Sequence, residues 1–338
     1  MHEYKKMILI DALYVNMGGG LVLLKYLIET MEKRQEKFFL LADARCTGMF
    51  DNVSQLCYLN ASLRERKRFY KGQKNKFSSV FCFGNVPPPI RLNVPVYTYF
   101  HNINMLTLAD CRSKKQKIKF LLKRTYIKSI KRNTDEWFVQ TSNTAGELIK
   151  HLNINSSQVK LYPFYKVPCL NGQNNEQERT DYIFVGDDSG SKGHKELVSA
   201  WKLLHERGVD RVLHLTISEK SKLLSCIEDL VKSGVRIENH GFMQPEGLFH
   251  LYCRCKATVY PSKNESFGLG LVEAMECGCD VIGSNLSFVH AICKPSEVFD
   301  HNSSVSIAEA IIRYENGSSV KTEQIVKNMV VEMTNHIT

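Results

Sequence analysis

The chain has 338 residues, 43% of them hydrophobic and 24% charged, an ordinary balance for a soluble protein of about two domains. That composition excludes wholesale disorder, a collagen-like fibre and a disulfide-knotted miniprotein, and no run approaches the ~18 consecutive apolar residues of a spanning helix. The net charge is +10, but residues 1–180 carry 29 Lys and Arg against 14 Asp and Glu, while residues 181–338 carry 16 against 21; such asymmetry points to different partners for the two halves.

Residues 1–6 run straight into an apolar segment that contains Asp11, without the long apolar core and small-residue cleavage site of a signal peptide. The eleven cysteines, an odd number, are therefore expected to be free thiols in a reducing cytoplasm. Cys253-Arg-Cys255 and Cys277-Gly-Cys279 lack the CxxC spacing of a zinc site and read as small buried thiols.

The apolar run 7–15 predicts a strand, Asn16-Met17-Gly18-Gly19-Gly20 a glycine loop, and 21–33 an amphipathic helix, which together open an α/β unit. Further strands are predicted at 37–41, 79–83, 94–100 and 137–141, with helices around 105–130 and at 143–152. The polar stretch 168–181 has no hydrophobic period and reads as a linker. A second alternation follows, with strands at 182–185, 211–217, 235–238, 257–260 and 280–283 and helices at 192–207, 220–233, 246–254 and 268–276. Strands alternating with helices imply right-handed crossovers and a parallel sheet covered on both faces. The expected organisation is a first domain over 1–168, a linker over 169–181, a second domain over 182–320, and a helix in 321–338 that packs back on the first domain. Two doubly wound domains in tandem would face a central cleft, and ligands gather at the carboxyl ends of such strands.

The most informative stretch is Pro261-Ser262-Lys263-Asn264-Glu265-Ser266-Phe267-Gly268-Leu269-Gly270-Leu271-Val272-Glu273-Ala274-Met275-Glu276-Cys277-Gly278. A buried strand ends at Pro261, a loop carries Glu265, and a helix begins near Gly268. Glycines let a ligand approach the backbone, and the first-turn N–H groups lack intrahelical partners and face an incoming anion. Glu273 lies four residues after Leu269, on the same face and about 6 Å along the axis. A phosphate at the helix start would place an attached ribose beside that carboxylate, which accepts hydroxyl hydrogen bonds and repels phosphate. Glu265 can accept hydroxyls at the other end of the ligand.

The run Glu265-x7-Glu273, with Phe267-Gly268 inside it, resembles the donor-site motif of the retaining GT-B glycosyltransferases of family 4 (glycosyl transferases group 1). The resemblance implies two Rossmann-like domains and a nucleotide-sugar donor. By the same resemblance Glu273 would bind the ribose, Glu265 the transferred sugar or its phosphate, and the amides of Phe267, Gly268 and Leu269 sugar and phosphate. Lys192-Gly193, between the second domain's first strand and helix, fits the family's Lys-Gly position, where an ammonium neutralises diphosphate. Asp187 departs from the family's usual Arg, so Lys192 and Lys195 would carry the compensation, or donor binding would be weaker. Gly18, Gly19 and Gly20 match a loop near the diphosphate or acceptor. His101, in Tyr99-Phe100-His101-Asn102, matches a histidine that approaches the donor sugar. Val139-Gln140-Thr141-Ser142-Asn143-Thr144 resembles the family's strand-to-helix turn just before the linker, or Ser142 simply caps that helix. The nucleobase is expected near His240-Gly241-Phe242-Met243, where Phe242 either stacks on the base or packs into the core. The catalytic residues implied are His101, Lys192 and Glu265. No Asp-x-Asp metal motif is present, so neither a metal nor a cofactor is expected, and lysine, amides and the helix dipole would balance the phosphates.

Residues 112–132 hold ten basic residues and no acidic one. Ile118, Leu121, Leu122, Tyr126 and Ile130 can share one face of a basic amphipathic helix, and a second basic run, with Phe69 and Tyr70, spans 64–76. These runs suggest attraction to anionic lipid or to a lipid-diphosphate acceptor, or else two solvated faces. The expectation is a hexosyltransferase of O-antigen or capsule synthesis, cytoplasmic and peripheral at the inner face of the plasma membrane. A GT-B relative without transferase activity, an epimerase or a pseudoenzyme, is the alternative. A nucleic-acid-binding protein would leave Glu265-x7-Glu273 unexplained, and a nucleotide-binding oxidoreductase would need the GxGxxG that Gly18 to Gly20 do not form.

Overall fold

The computed structural model describes residues 7–73, 75–108, 113–167 and 179–338; most of the expected linker and the first residue of the basic run 112–132 lie outside these. The chain divides into two compact units, Met1–Tyr165 with Lys327–Thr338, and Lys166–Val326.

The first unit runs β1 (Met7–Asp11), α1 (Gly18–Lys33), β2 (Phe38–Asp43), β3 (Leu56–Leu59), α2 (Leu63–Gln73), β4 (Phe77–Cys82), β5 (Val96–Phe100), α3 (Asn104–Thr107), α4 (Lys114–Ile130), β6 (Glu136–Val139), α5 (Ser142–Leu152) and β7 (Val159–Leu161). Its seven strands form a sheet of order β3-β2-β1-β4-β5-β6-β7, every pair parallel. Leu9, Ile10, Leu40, Val80, Phe81 and Phe138 are wholly buried at its centre. Gly18 to Gly20 are the first turn of α1 rather than a loop before it, with Gly18 at φ +63°. The helical stretch expected around 105–130 is two helices, α3 ending on Leu108 in the left-handed region.

Helix α2 escaped the hydrophobic pattern because its inward side chains are a guanidinium and a phenol. Arg66 and Tyr70 are buried. Arg66 Nη2 lies 2.7 Å from Asp11 Oδ2, at the end of β1, and Tyr70 donates to the same oxygen at 2.6 Å. Arg66 also donates to the carbonyls of Val86 and Pro87, each at 2.8 Å. The buried charge is thus both paired and hydrogen-bonded, as a low-dielectric site requires. The face expected for α4 divides. Ile127 is its fully buried residue, Phe120, Tyr126 and Ile130 pack partly against the core, and Ile118 and Leu122 stand 57% and 67% exposed.

The second unit runs β8 (Asp181–Phe184), α6 (His194–Glu206), β9 (Leu213–Leu215), α7 (Leu224–Lys232), β10 (Ile237–Asn239), α8 (Pro245–Arg254), β11 (Cys255–Tyr260), α9 (Leu269–Glu276), β12 (Asp280–Ser284), α10 (Ser287–His290), β13 (Cys293–Lys294), β14 (Glu297–Phe299), α11 (Ser304–Glu315) and β15 (Glu323–Gln324). Six strands form a parallel sheet of order β10-β9-β8-β11-β12-β14, and β13 pairs antiparallel with β15. Cys255, Cys277 and Cys279 are buried beside the half-buried Cys253 among α8, β11 and α9. The nine described cysteines are free.

The chain then returns to the first unit as α12 (Val330–Ile337). Val330, Met333 and Ile337 are buried there. Ser79 donates to the Ile337 carbonyl at 2.7 Å, the Tyr162 hydroxyl meets His336 Nδ1 at 2.7 Å, and Met329 N–H donates to the Pro163 carbonyl at 2.8 Å.

Arg66→Ala should cost about 3–5 kcal/mol, because it strands a buried carboxylate. Urea denaturation should show a lower midpoint, and adding Asp11→Asn should recover much of the loss.

Candidate functional site

The site is built where two neighbouring strands end. The β8–α6 connection makes one short turn over Gly190–Lys192 and then Gly193, at φ +70°. A Cβ on Gly193 would lie 2.4 Å from the Pro261 carbonyl oxygen, so only glycine lets this turn rest against the end of β11. The contact is reinforced on both sides. Lys263 N–H donates to the Ser191 carbonyl at 2.7 Å, and Lys263 Nζ lies 3.0 Å from Glu196 Oε1. The turn carries Lys192 and the β11–α9 loop carries Glu265, and the two meet with Nζ to Oε1 at 2.5 Å. Tyr260 donates to the same carboxylate oxygen at 3.2 Å.

Helix α9 starts from Gly268, at φ +78°, with no side-chain cap on its first N–H groups. Those of Leu269 and Gly270 have no acceptor one turn back, which leaves the positive end of the helix open to an anion. Gly270 keeps α9 close to two phenols, since a Cβ there would stand 3.4 Å from the Tyr252 hydroxyl and the Tyr260 ring. Glu273, one turn further on, has no hydrogen-bond partner among the described residues, and burial pushes its carboxyl up to about 7. A desolvated, unpartnered carboxylate beside an uncapped helix start has the chemistry of a hydroxyl acceptor waiting for a polyol.

Within the second unit the structure therefore brings together Lys192, Glu265, Gly268, Leu269 and Glu273, with Phe267 buried between them in the chain. Phe242 stands 85% exposed on the loop after β10, so the core-packing alternative is wrong. Asp187 is exposed, and its Oδ1 accepts the Ser189 N–H at 3.4 Å. Lys195 is exposed as well. Sequence reasoning gave no role to His194. It is buried against Phe184, with ring centroids 4.7 Å apart, and neither ring nitrogen has a partner. Burial and the Lys192 charge push its imidazole down to about 4. The signal available was its place directly after Lys192-Gly193.

Within the first unit, Gly20 and His101 meet. A Cβ on Gly20 would lie 2.8 Å from His101 Cε1. His101 is fixed by its N–H to Asn85 Oδ1 at 2.7 Å and by a hydrogen bond from the ring to the Phe83 backbone. Its Nε2 is buried without a partner, and burial pushes the imidazole down to about 4. The ring is thus neutral at pH 7 and acts as a hydrogen-bonding group, not as a charged acid. The cap of α5 is Thr141, whose hydroxyl accepts the Thr144 N–H at 3.2 Å; Ser142 is the first helical residue.

Residues 171–329 match the family described as glycosyl transferases group 1. Over 94 residues the chain is 35% identical to the serotype-specific mannosyltransferase WbdA of Escherichia coli, covering 27% of this chain and 10% of that protein. Over 108 residues it is 31% identical to the O-antigen chain mannosyltransferase B of Escherichia coli, covering 31% of this chain and 28% of that one. The chain thus spans well under a third of the length of these curated relatives. Among solved structures, sucrose-phosphate synthase from Thermosynechococcus elongatus superposes with TM-score 0.69 at 16% identity, over 92% of this chain and 90% of that one. The lipopolysaccharide outer core galactosyltransferase WaaB does so at 0.65 and 14%, over 98% and 94%, and the lipopolysaccharide glycosyltransferase WaaG at 0.61 and 16%, over 98% and 99%. The class that the two parallel-sheet units define is therefore GT-B. The family match covers the segment from Pro261 to Gly278 in full.

Two measurements check the site. Gly193→Ala must move the turn off Pro261 and should lower the thermal midpoint by several degrees. Glu273 has a folded pKa above its unfolded one, so its ionisation costs stability as pH rises from about 4.3 through 7. Glu273→Gln should then raise the midpoint at pH 8 without ligand and leave it nearly unchanged below pH 4.

Proposed function

We propose that the protein is a retaining hexosyltransferase of the family 4 type, moving a sugar from a nucleotide diphosphate to a hydroxyl acceptor in bacterial surface-polysaccharide synthesis. The observation that carries the reading is Glu273, a desolvated carboxylate with no hydrogen-bond partner among the described residues, one turn inside a helix whose start is uncapped. In this reading Glu273 takes the ribose hydroxyls, and the amides of Gly268 and Leu269 hold the diphosphate. Glu265 faces the sugar while its ion pair holds Lys192 in place. Phe267 lends its amide, and Phe242, already exposed, lies against the base. Gly18, Gly19, Gly20 and the neutral His101, which meets Gly20, are the first unit's own candidate ligand-contacting group.

Transfer breaks the bond between the anomeric carbon and the β-phosphate oxygen and forms one to the acceptor oxygen. Lys192 and the α9 amides stabilise the charge that grows on the phosphate. The leaving phosphate takes the acceptor's proton from the same face, so the configuration is retained and no enzyme nucleophile is needed. No metal or cofactor is called for, since lysine, amides and helix dipole balance the charge. The two Escherichia coli mannosyltransferases that share sequence with this chain support the substrate class.

A lipid-linked acceptor is supported by α4. Ile118 and Leu122, one turn apart, are exposed among Lys114, Lys115, Lys117, Lys119 and Lys123, the pattern of a helix lying in an anionic interface. At about 1 kcal/mol per basic residue near such a surface, this helix with the exposed bases of α2 would hold the protein reversibly at the inner leaflet. No described helix is long and apolar enough to cross a membrane.

Glu273→Ala and Lys192→Ala should each lower sugar transfer about 10²–10³-fold, and near-normal turnover in both would overturn the assignment. Product NMR should show the donor's anomeric configuration kept. Co-sedimentation with anionic vesicles should fall with salt and with Leu122→Asp.

A further inference from the structure

On the second unit's sheet, three ligating side chains that the donor chemistry does not use meet on one face. His214 is the middle residue of β9, Glu238 is its register partner on β10, and His240 follows Glu238 by two residues, on the same face. Theirs is the metal-binding geometry found among the described residues. His214 Nδ1 lies 3.0 Å from His240 Nε2 and 3.4 Å from Glu238 Oε2, and the latter two atoms are 4.0 Å apart. The point equidistant from atoms at those separations lies roughly 2.0–2.1 Å from each, within the range of Zn–N and Zn–O bonds.

The surroundings orient the donors. His214 Nε2 lies 3.2 Å from Asp181 Oδ2 on β8. A carboxylate there holds the ring proton on Nε2 and turns the Nδ1 lone pair toward His240 and Glu238. A carboxylate behind a ligating histidine is how metal sites set tautomer and ring angle. His214 is buried, while Glu238 and His240 are exposed, so an ion would be gripped from within and keep solvent ligands outside. His240 is anchored by its N–H to the Leu215 carbonyl at 2.8 Å. The cysteines are poor rivals, since Cys255 and Cys279 direct their thiols at backbone carbonyls.

We propose that His214, Glu238 and His240 bind one borderline-soft divalent cation of the Zn2+ type, tying β9 to the root of the loop that carries Gly241 and Phe242. This site is separate from the donor carboxylates, so it stands or falls independently of the transferase reading.

Co2+ titrated into the metal-free protein, as a visible stand-in for Zn2+, tests it. One Co2+ per chain should bind with d–d bands and no thiolate charge-transfer band, and Zn2+ should displace it and raise the thermal midpoint. His240→Ala and Glu238→Gln, both at exposed positions, should fold normally and lose that spectrum, while Asp181→Asn should weaken binding about 10–100-fold. Absence of Co2+ binding, a dominant thiolate band, or an unchanged spectrum in His240→Ala would overturn the proposal.

Discussion

The missing side chain at Gly193 is the constraint on which the second unit's site rests. A turn at φ +70° pressed to within a Cβ's reach of the Pro261 carbonyl excludes every L side chain twice over, by backbone conformation and by space. Its effect is positional. It brings the end of β8 against the end of β11, and so holds an ammonium and a carboxylate from residues 73 apart in the chain in direct contact. The Lys263 backbone bond to Ser191 then keeps the two connections in register. Without that contact each loop would sample many conformations, and the pair would have to meet the entropic cost of ordering itself.

Each unit, taken by itself, keeps some polar groups short of partners. Both ring nitrogens of His194 in the second unit and Nε2 of His101 in the first are buried without hydrogen bonds, and the half-buried Glu273 has no hydrogen-bond partner among the described residues. Natural interiors rarely tolerate this, because each such group carries a desolvation penalty of about 1–3 kcal/mol. Where such a group lies beside a glycine, as His194 does beside Gly193 and His101 beside Gly20, local stability has been given up for an unsatisfied polar group within that unit. Asp11 shows the opposite treatment. Its carboxylate is wholly buried but fully satisfied by Arg66 and Tyr70, and it is structural.

The alternation of strands and helices, and the motif from Pro261 to Gly278, were legible because they depend on local periodicity and on residues close in sequence. The strands β3 and β7 were not: each is short, lies at a sheet edge and is at most half-buried, so neither shows a clear apolar run. Helix α2 was hidden because its core-facing residues are Arg66 and Tyr70, which read as charge and polarity until their partner on β1 is known. The face of α4 was misjudged where Ile118 and Leu122 turned outward. The cap of α5 is one residue earlier than the turn chemistry suggested, a common ambiguity between adjacent hydroxyl residues. The His214 cluster could not have been seen. Its members lie on different strands, and only sheet register sets His214 opposite Glu238.

The first unit is discontinuous: the segment Lys327–Thr338 belongs to it, although the whole of the second unit intervenes in the chain. Synthesis proceeds from the amino end at about 5–20 residues per second. The sheet built from β1 to β7 can therefore form on the ribosome, yet the surface around Ser79, Tyr162 and Pro163 stays uncovered for the many seconds needed to translate and fold the second unit. The nascent protein thus has an ordered schedule. Its first unit waits, partly open, for a late-emerging helix, and during that interval a chaperone or a neighbouring chain has access to apolar surface that the finished molecule covers.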